Sequence, residues 1–279
     1  MSIALALVAA IVYGASDFLG GLASRRAATL AVVIWSQATG LVLLAIALPL
    51  FGGHAVPGDL LWGALCGVAG AVAIASLYRG LAIGTMGIVS PISAVLGASI
   101  PVFYGLIFRG EHPTVYATIG IVAALLAVVL VSAPGRGAQL LPAGIPEALL
   151  AGLGFGAYFI ALAQTRAAAG MVPLLAARAT SVVLLVAGGL AFGGLANVRL
   201  ARPAFALVAL CGALDVSANV LYVLAAHGGL LSLVAVLTSL YPAATVALAA
   251  IVLRERLGRV QWIGVVLALG GAAVISAGK

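Results

Sequence analysis

Apolar runs of membrane-spanning length follow one another along almost the whole chain, and no other feature limits its fold so tightly. They can be placed at 2–22, 30–51, 59–80, 87–108, 114–133, 146–166, 172–193, 204–226, 231–253 and 259–277. A helix that crosses hydrocarbon needs roughly 20 mostly apolar residues at about 1.5 Å rise each, so 279 residues with short connectors hold ten such helices. Charged residues make up 7% of the chain, against about 25% in an ordinary soluble domain. No water-soluble fold could hide that much apolar surface. The expected class is therefore an all-α integral membrane protein, with little left over for a soluble domain. The first run begins at Ser2 with no basic stretch before it and no small-residue cleavage site after it, so it reads as a span and not as a cleaved leader.

The net charge of +7 would suggest nucleic acid in a soluble protein. Here the arginines stand singly or in pairs at the ends of apolar runs, as topology signals do, and no basic face is interleaved with exposed aromatics, so no nucleic-acid partner is expected. Twelve arginines against the single Lys279, with heavy Ala and Gly usage, fit a GC-rich bacterial genome. Cys66 and Cys211 lie inside apolar runs and read as small packing residues. Neither a disulfide framework nor a metal site is indicated, and no cofactor is expected.

The chain repeats itself. An ungapped shift of 144 positions sets Tyr78 on Tyr222, Gly84 on Gly228, Glu111 on Glu255, Gly120 on Gly264 and Ser132 on Ser276. The tetrapeptide ALCG at 64–67 recurs at 209–212, and Tyr13-Gly14-Ala15 is echoed by Phe155-Gly156-Ala157. The longest connector, APGRGAQLLPAGIP, falls at the midpoint and divides the chain into 1–136 and 137–279. Five spans per half is an odd number, so the second half crosses the membrane in the opposite sense to the first. Inverted repeats of this kind are the architecture of secondary transporters, whose halves rock about a site near the bilayer midplane.

Toward the end of each half the sequence reads SIPVFYGLIFRGEHPTVYATIG and SLYPAATVALAAIVLRERLGRVQWIG. A Pro-containing fourth span, a Glu at the head of the fifth and a Gly some nine residues later resemble the ten-span EamA branch of the drug/metabolite transporter superfamily. The resemblance covers nearly the whole chain. It implies ten helices as two inverted five-helix repeats around a central cavity, with the first four spans of each half lining it and the fifth and tenth at the periphery. The similarity is greatest to the bacterial amino-acid exporters, which places the chain in the bacterial inner membrane as a monomer with a small-molecule substrate. Pro101 and Pro242 do not align under the shift, so the two fourth-type spans are expected to bend at different heights.

Several polar side chains interrupt the spans. Asp17 sits some fifteen residues into the first, where an ionisable group costs a few kcal/mol even on lenient insertion scales. Tyr13, Asp17, Gly20 and Ser24 share a helical face with small or polar character. Asp215, Asn219 and Tyr222 place a carboxylate, an amide and a phenol on one stripe of the eighth span, opposite Ala71, Ala75 and Tyr78 in the first half. Such a stripe either lines a cavity or glues helices together. Arg178, in PLLAARATS, is the best candidate for a buried cation, offered to a substrate carboxylate or to Asp17 or Asp215. Arg79 lies near the end of the third span and either contributes to the site or snorkels to the interface. Tyr78, Tyr158 and Tyr222, with Trp35 and Tyr104, would supply an aromatic wall or anchor at the headgroups. The expected substrate-binding set is Asp17, Tyr78, Arg79, Tyr158, Arg178, Asp215, Asn219 and Tyr222. Glu111 and Glu255 open spans and read as structural carboxylates facing the positive ends of their own helices, paired with neighbouring arginines.

The leading functional expectation is a secondary carrier that exports amino acids or similar amphipathic metabolites by alternating access, without ATP, since no Walker-type loop occurs. A multidrug or other metabolite exporter of the same superfamily is the alternative. An intramembrane lipid-processing enzyme would need a nucleophile with its base or a metal cluster, and three scattered histidines with six acids supply neither, so no catalytic residue is assigned. A sugar-phosphate exchanger would want more cavity cations than Arg178 and Arg79. Of the 13 basic residues, Arg109, Arg166, Arg178 and Lys279 are the four not on the face opposite the termini. Charge therefore puts the termini outside, whereas the family resemblance implies cytoplasmic termini.

Overall fold

The computed structural model describes residues 1–51, 53–84, 86–131, 143–191, 198–252 and 258–277. Glu255 with Arg254 and Arg256, and the seam at residue 136, lie outside them. The described residues form eleven α-helices and one 3-10 turn: α1 (Ser2–Ser24), α2 (Thr29–Phe51), α3 (Pro57–Ile83), α4 (Met86–Phe108), α5 (Val115–Val131), α6 (Ile145–Ala163), α7 (Val172–Ala191), α8 (Arg202–His227), α9 (Leu231–Thr238), α10 (Tyr241–Val252) and α11 (Arg259–Ala277). Among the described residues, seven segments are long and apolar enough to cross a membrane, with α9 and α10 counted as one, and two shorter apolar helices cover Ile92–Phe108 and Val115–Leu130. Large apolar side chains such as Ile46, Leu61, Val183 and Ile251 point outward, a surface suited to lipid and not to water.

Local signals explain the helix ends. Pro57 occupies the first turn of α3, where its missing N–H costs nothing. Asp59 Oδ2 accepts the N–H of Val56 at 3.0 Å, filling one of the four donors every helix start leaves open. The expectation about the two prolines resolves unequally. α4 runs unbroken through Pro101, whereas the helix that contains Pro242 is interrupted between Thr238 and Tyr241. Pro242 has no N–H to return to Thr238, four residues back, and its ring crowds that carbonyl.

The packing is symmetric under one exchange of helices. α3 packs most on α6 and then α7, and α8 packs most on α1 and then α2. α4 lies against α6 as α9–α10 lies against α1, while α4 meets α9 and α5 meets α11. Swapping α1 with α6, α2 with α7, α3 with α8, α4 with α9–α10 and α5 with α11 leaves this pattern unchanged. The swap also turns the molecule over. Ser2, at the start of α1, lies beside Gly228, whereas Glu147, at the start of α6, pairs with Arg79 near the far end of α3. Two interleaved bundles result, one of α3, α4 and α6 and one of α8, α9–α10 and α1, each drawing on both halves of the chain.

Small residues let the helices approach. Gly63 and Gly67, spaced as G-x-x-x-G, press α3 onto α7, where a Cβ on either would collide with the carbonyl oxygens of Pro173 and Ala177. Gly212, from the second ALCG, presses α8 onto α2 at the carbonyl of Ser36 in the same way. In lipid such close backbone contact replaces the missing hydrophobic drive between helices. Gly67→Val should therefore destabilise the fold by about 2 kcal/mol through overpacking, read as a lower midpoint in detergent denaturation. Leu65→Ala, on the outward face of the same turn, should leave the midpoint unmoved.

Candidate functional site

The polar side chains of α1, α2, α6, α7 and α8 converge in the interior. Arg178 is 4% exposed and Asp215 8%, and Arg178 Nη2 meets Asp215 Oδ2 at 2.5 Å. The guanidinium also donates from Nη1 to Gln37 Oε1 at 2.7 Å, tying α7 to α2. Gly40, one turn along α2, lies beside the guanidinium. One turn from Asp215 along α8, Asn219 returns its Nδ2–H to the Asp215 carbonyl at 2.7 Å. Its Oδ1 accepts the hydroxyls of Tyr13, at 2.6 Å, and of Tyr158. A charged pair and an amide are thus fixed by partners from three other helices, which is the condition for keeping polar groups in a low-dielectric interior.

An aromatic cluster adjoins them. The Phe159 ring lies 5.6 Å from Tyr158, 6.3 Å from Phe155, 6.4 Å from Tyr13 and 4.5 Å from Tyr222 between centroids. Tyr13, Gln37, Phe155, Tyr158, Phe159, Arg178, Asp215 and Asn219, with Gly70 and Ile74, enclose a cavity of about 30 Å³. That is an order of magnitude below the roughly 300–1,000 Å³ of small-molecule pockets. The side chains of the site are closed on one another.

The expected residues fall into four groups. Tyr158, Arg178, Asp215 and Asn219 meet in the cavity wall. Tyr78 and Tyr222 flank it and reach across the bundle interface. The Tyr78 hydroxyl lies 3.0 Å from Cys211 Sγ, with its ring on Gly20, and the Tyr222 hydroxyl donates to the Phe159 carbonyl at 3.4 Å. Asp17 is buried on the same side as Tyr78 but does not line the cavity. Arg79 is apart from all of these, its side chain 68% exposed and 3.3 Å from Glu147 Oε1. Four residues from the end of an apolar helix, its long stem carries the charge outward. Trp35 and Tyr104 also lie outside the cavity. Trp35 Nε1 donates to the Val198 carbonyl, and the Tyr104 hydroxyl accepts from Gln164 Nε2 at 2.8 Å.

Two features were not read from the sequence. Gln37, an amide eight residues into an apolar helix, orients Arg178, and its depth in IWSQATG is the signal that could have found it. Asp59 holds Arg166 through Oδ2 to Nε at 3.0 Å and to Nη2 at 2.8 Å, and takes the Arg166 backbone N–H on Oδ1. That carboxylate raises the Arg166 guanidinium above its ordinary value and pins the α6–α7 connection to the start of α3.

Glu111 also departs from expectation. Among the described residues it pairs with no arginine, and it does not face its own helix. Its Oε1 and Oε2 accept the N–H groups of Leu231 at 2.9 Å and Ser232 at 3.0 Å, at the start of α9. The helix after Glu111 has its own cap, since Thr114 Oγ1 accepts the N–H of Ala117.

Comparison with known proteins adds the family. A model described as the EamA-like transporter family matches residues 1–133 and again 142–277. A solved crystal structure, 17% identical in sequence, is similar in fold with a TM-score of 0.67 and covers 96% of each chain. No curated protein matches in sequence.

Removing one partner of a buried ion pair strands the other, at a cost of about 3–5 kcal/mol, whereas apolar replacement of both is near neutral. Arg178→Ala and Asp215→Ala should each lower stability by that amount in detergent denaturation. Arg178→Leu with Asp215→Leu should recover most of the loss.

Proposed function

The chain belongs to the EamA-like transporter family, a multi-pass membrane transporter of the drug/metabolite superfamily, and we propose that it exports amino acids or closely similar amphipathic metabolites by alternating access. The observation that carries the reading is the buried Arg178–Asp215 pair beside the Phe155–Tyr158–Phe159 cluster. A molecule entering there must separate the pair, which leaves a cation and an anion in a low dielectric unless it satisfies both. A zwitterion does so. Its carboxylate takes the fork of Arg178, its ammonium takes Asp215, and the amides of Gln37 and Asn219 remain as hydrogen-bonding partners. The neighbouring rings accept an apolar or aromatic side chain.

On this reading Tyr158, Arg178, Asp215 and Asn219 contact substrate. Tyr78 and Tyr222 close the chamber on its two sides, and Asp17 tunes the polarity of the first-span wall. The two interleaved bundles rock about the site, exposing it first to one face and then to the other. The energy comes from a gradient and not from nucleotide hydrolysis.

The test is counterflow in proteoliposomes, with labelled amino acids, nucleosides and cationic drugs offered in parallel. Accumulation of amino acids is expected, with Asp215→Asn and Arg178→Lys each lowering the rate by at least about tenfold, the size of effect produced by losing a charge-assisted bond. Accumulation of drugs alone, or amino-acid flux untouched by both substitutions, would overturn the assignment.

A further inference from the structure

Glu111 joins two parts of the molecule that the sequence keeps 120 residues apart. It follows α4, in the bundle with α3 and α6, after a turn in which Gly110 takes a positive φ of 60°. The two N–H groups it accepts open α9, in the bundle with α8 and α1. Both carboxylate oxygens are used, on consecutive donors of a helix start, where the positive end of the dipole favours an anion. The other side-chain hydrogen bonds described between α6 or its following turn and α8 are neutral at the acceptor. They run from His227 to the Thr165 carbonyl at 2.9 Å, from Tyr222 to the Phe159 carbonyl at 3.4 Å and, deeper, from Tyr158 to Asn219 Oδ1. Charge-assisted bonds are roughly twice as strong as neutral ones, so Glu111 dominates the polar closure of this face.

The surroundings fit a contact that opens. Gly105 seats the carboxylate, since a Cβ there would sit 2.6 Å from Oε2 and displace it. Beside it lies a cleft of about 430 Å³ with Arg109, Gln164, Arg166 and His227 on its walls, so water reaches the site and a released carboxylate is hydrated at once. α5 keeps its own cap through Thr114, so local helix structure makes no demand on Glu111.

We propose that Glu111 is a positioning residue of the transport cycle: a latch that holds the two bundles together at the face where α1 starts and α8 ends, and lets go when that face opens. The inference rests on the rocking-bundle reading above but not on the identity of the substrate.

Two native thiols test it. Cys66 lies nine residues into α3 from the latched face, against the Tyr158 carbonyl. Cys211 lies nine residues into α8 from the opposite face, against Ser16 and Tyr78. Both are buried. The full-length protein is reconstituted in vesicles of known orientation, and a membrane-impermeant cationic methanethiosulfonate is applied to one face at a time. Glu111→Gln keeps the shape and loses the charge, while Gly105→Ala keeps the charge and displaces it. Each should speed labelling of Cys66 from the latched face by about tenfold and leave Cys211 from the opposite face unchanged or slower. Unchanged Cys66 labelling in both variants would overturn the latch. So would equal acceleration at both thiols, the signature of a merely loosened fold. Sided labelling that persists where amino-acid counterflow is absent would retain the latch and reject only the substrate.

Discussion

One ion pair sets the terms for the whole interior. Arg178 and Asp215 lie in a chain whose helices are otherwise almost entirely apolar, and a lone charge at that depth would cost more than most of the packing around it returns. The pair is tolerable because each member is the other's partner and because the remaining polar atoms are taken up locally. Gln37 receives a second guanidinium N–H, and Asn219 ties the Asp215 carbonyl to two tyrosine hydroxyls. These bonds come from α1, α2, α6, α7 and α8, so the pair fixes the relative placement of helices that no loop could hold in register. The glycines then follow as consequences. Gly67 lets α7 approach α3 and Gly212 lets α2 approach α8, the two close contacts that flank the Arg178–Gln37–Asp215 cluster.

The helix exchange preserves shape and not chemistry. Tyr78 and Tyr222 occupy repeat-related positions, each fully buried and each hydrogen-bonded across the bundle interface. Cys66 and Cys211 sit at matching depths beneath them. Yet the positions that carry Asp215 and Asn219 in α8 carry Ala71 and Ala75 in α3. A site whose two halves were chemically identical would offer a ligand two equivalent orientations. On the proposed reading, concentrating the carboxylate, the amide and the guanidinium in the second half, with Gln37 reaching over from the first, offers only one.

Much of this was legible in the sequence, and for reasons that are physical. Span-length apolar runs announce lipid because water cannot host them, and a repeat with shared Gly, Tyr and Glu positions announces two related halves. The stripe of Asp215, Asn219 and Tyr222 was visible because helical periodicity puts those residues on one face whatever they pack against. What periodicity cannot supply is the partner on another helix. Arg178 left a substrate acid, Asp17 and Asp215 open as partners, and only the packing of α7 on α3 and α2, with α2 on α8, brings it to the last of these. Glu111 looked like a cap for the helix it precedes because sequence proximity is the only proximity a sequence displays; its donors lie 120 residues away in α9. Arg79 was ambiguous for the converse reason, since a long stem near a helix end can turn inward or outward, and Glu147 draws it outward.

The small size of the central cavity bears on how a carrier of this kind moves. With about 30 Å³ free, nothing larger than a solvent molecule fits while Arg178 and Asp215 face each other. Empty and closed is therefore an electrostatically satisfied state, and so is closed around a molecule that carries both charges. Closed around a molecule with one charge is not, because it leaves either the guanidinium or the carboxylate buried without a counterpart, at several kcal/mol. On the proposed reading, the pair selects cargo at the moment of closure and not at the moment of entry: a singly charged ligand can visit the open site, but the bundles cannot shut over it cheaply. On the same reading the ion pair re-forms once the cargo has left, so the return step leaves neither charge stranded.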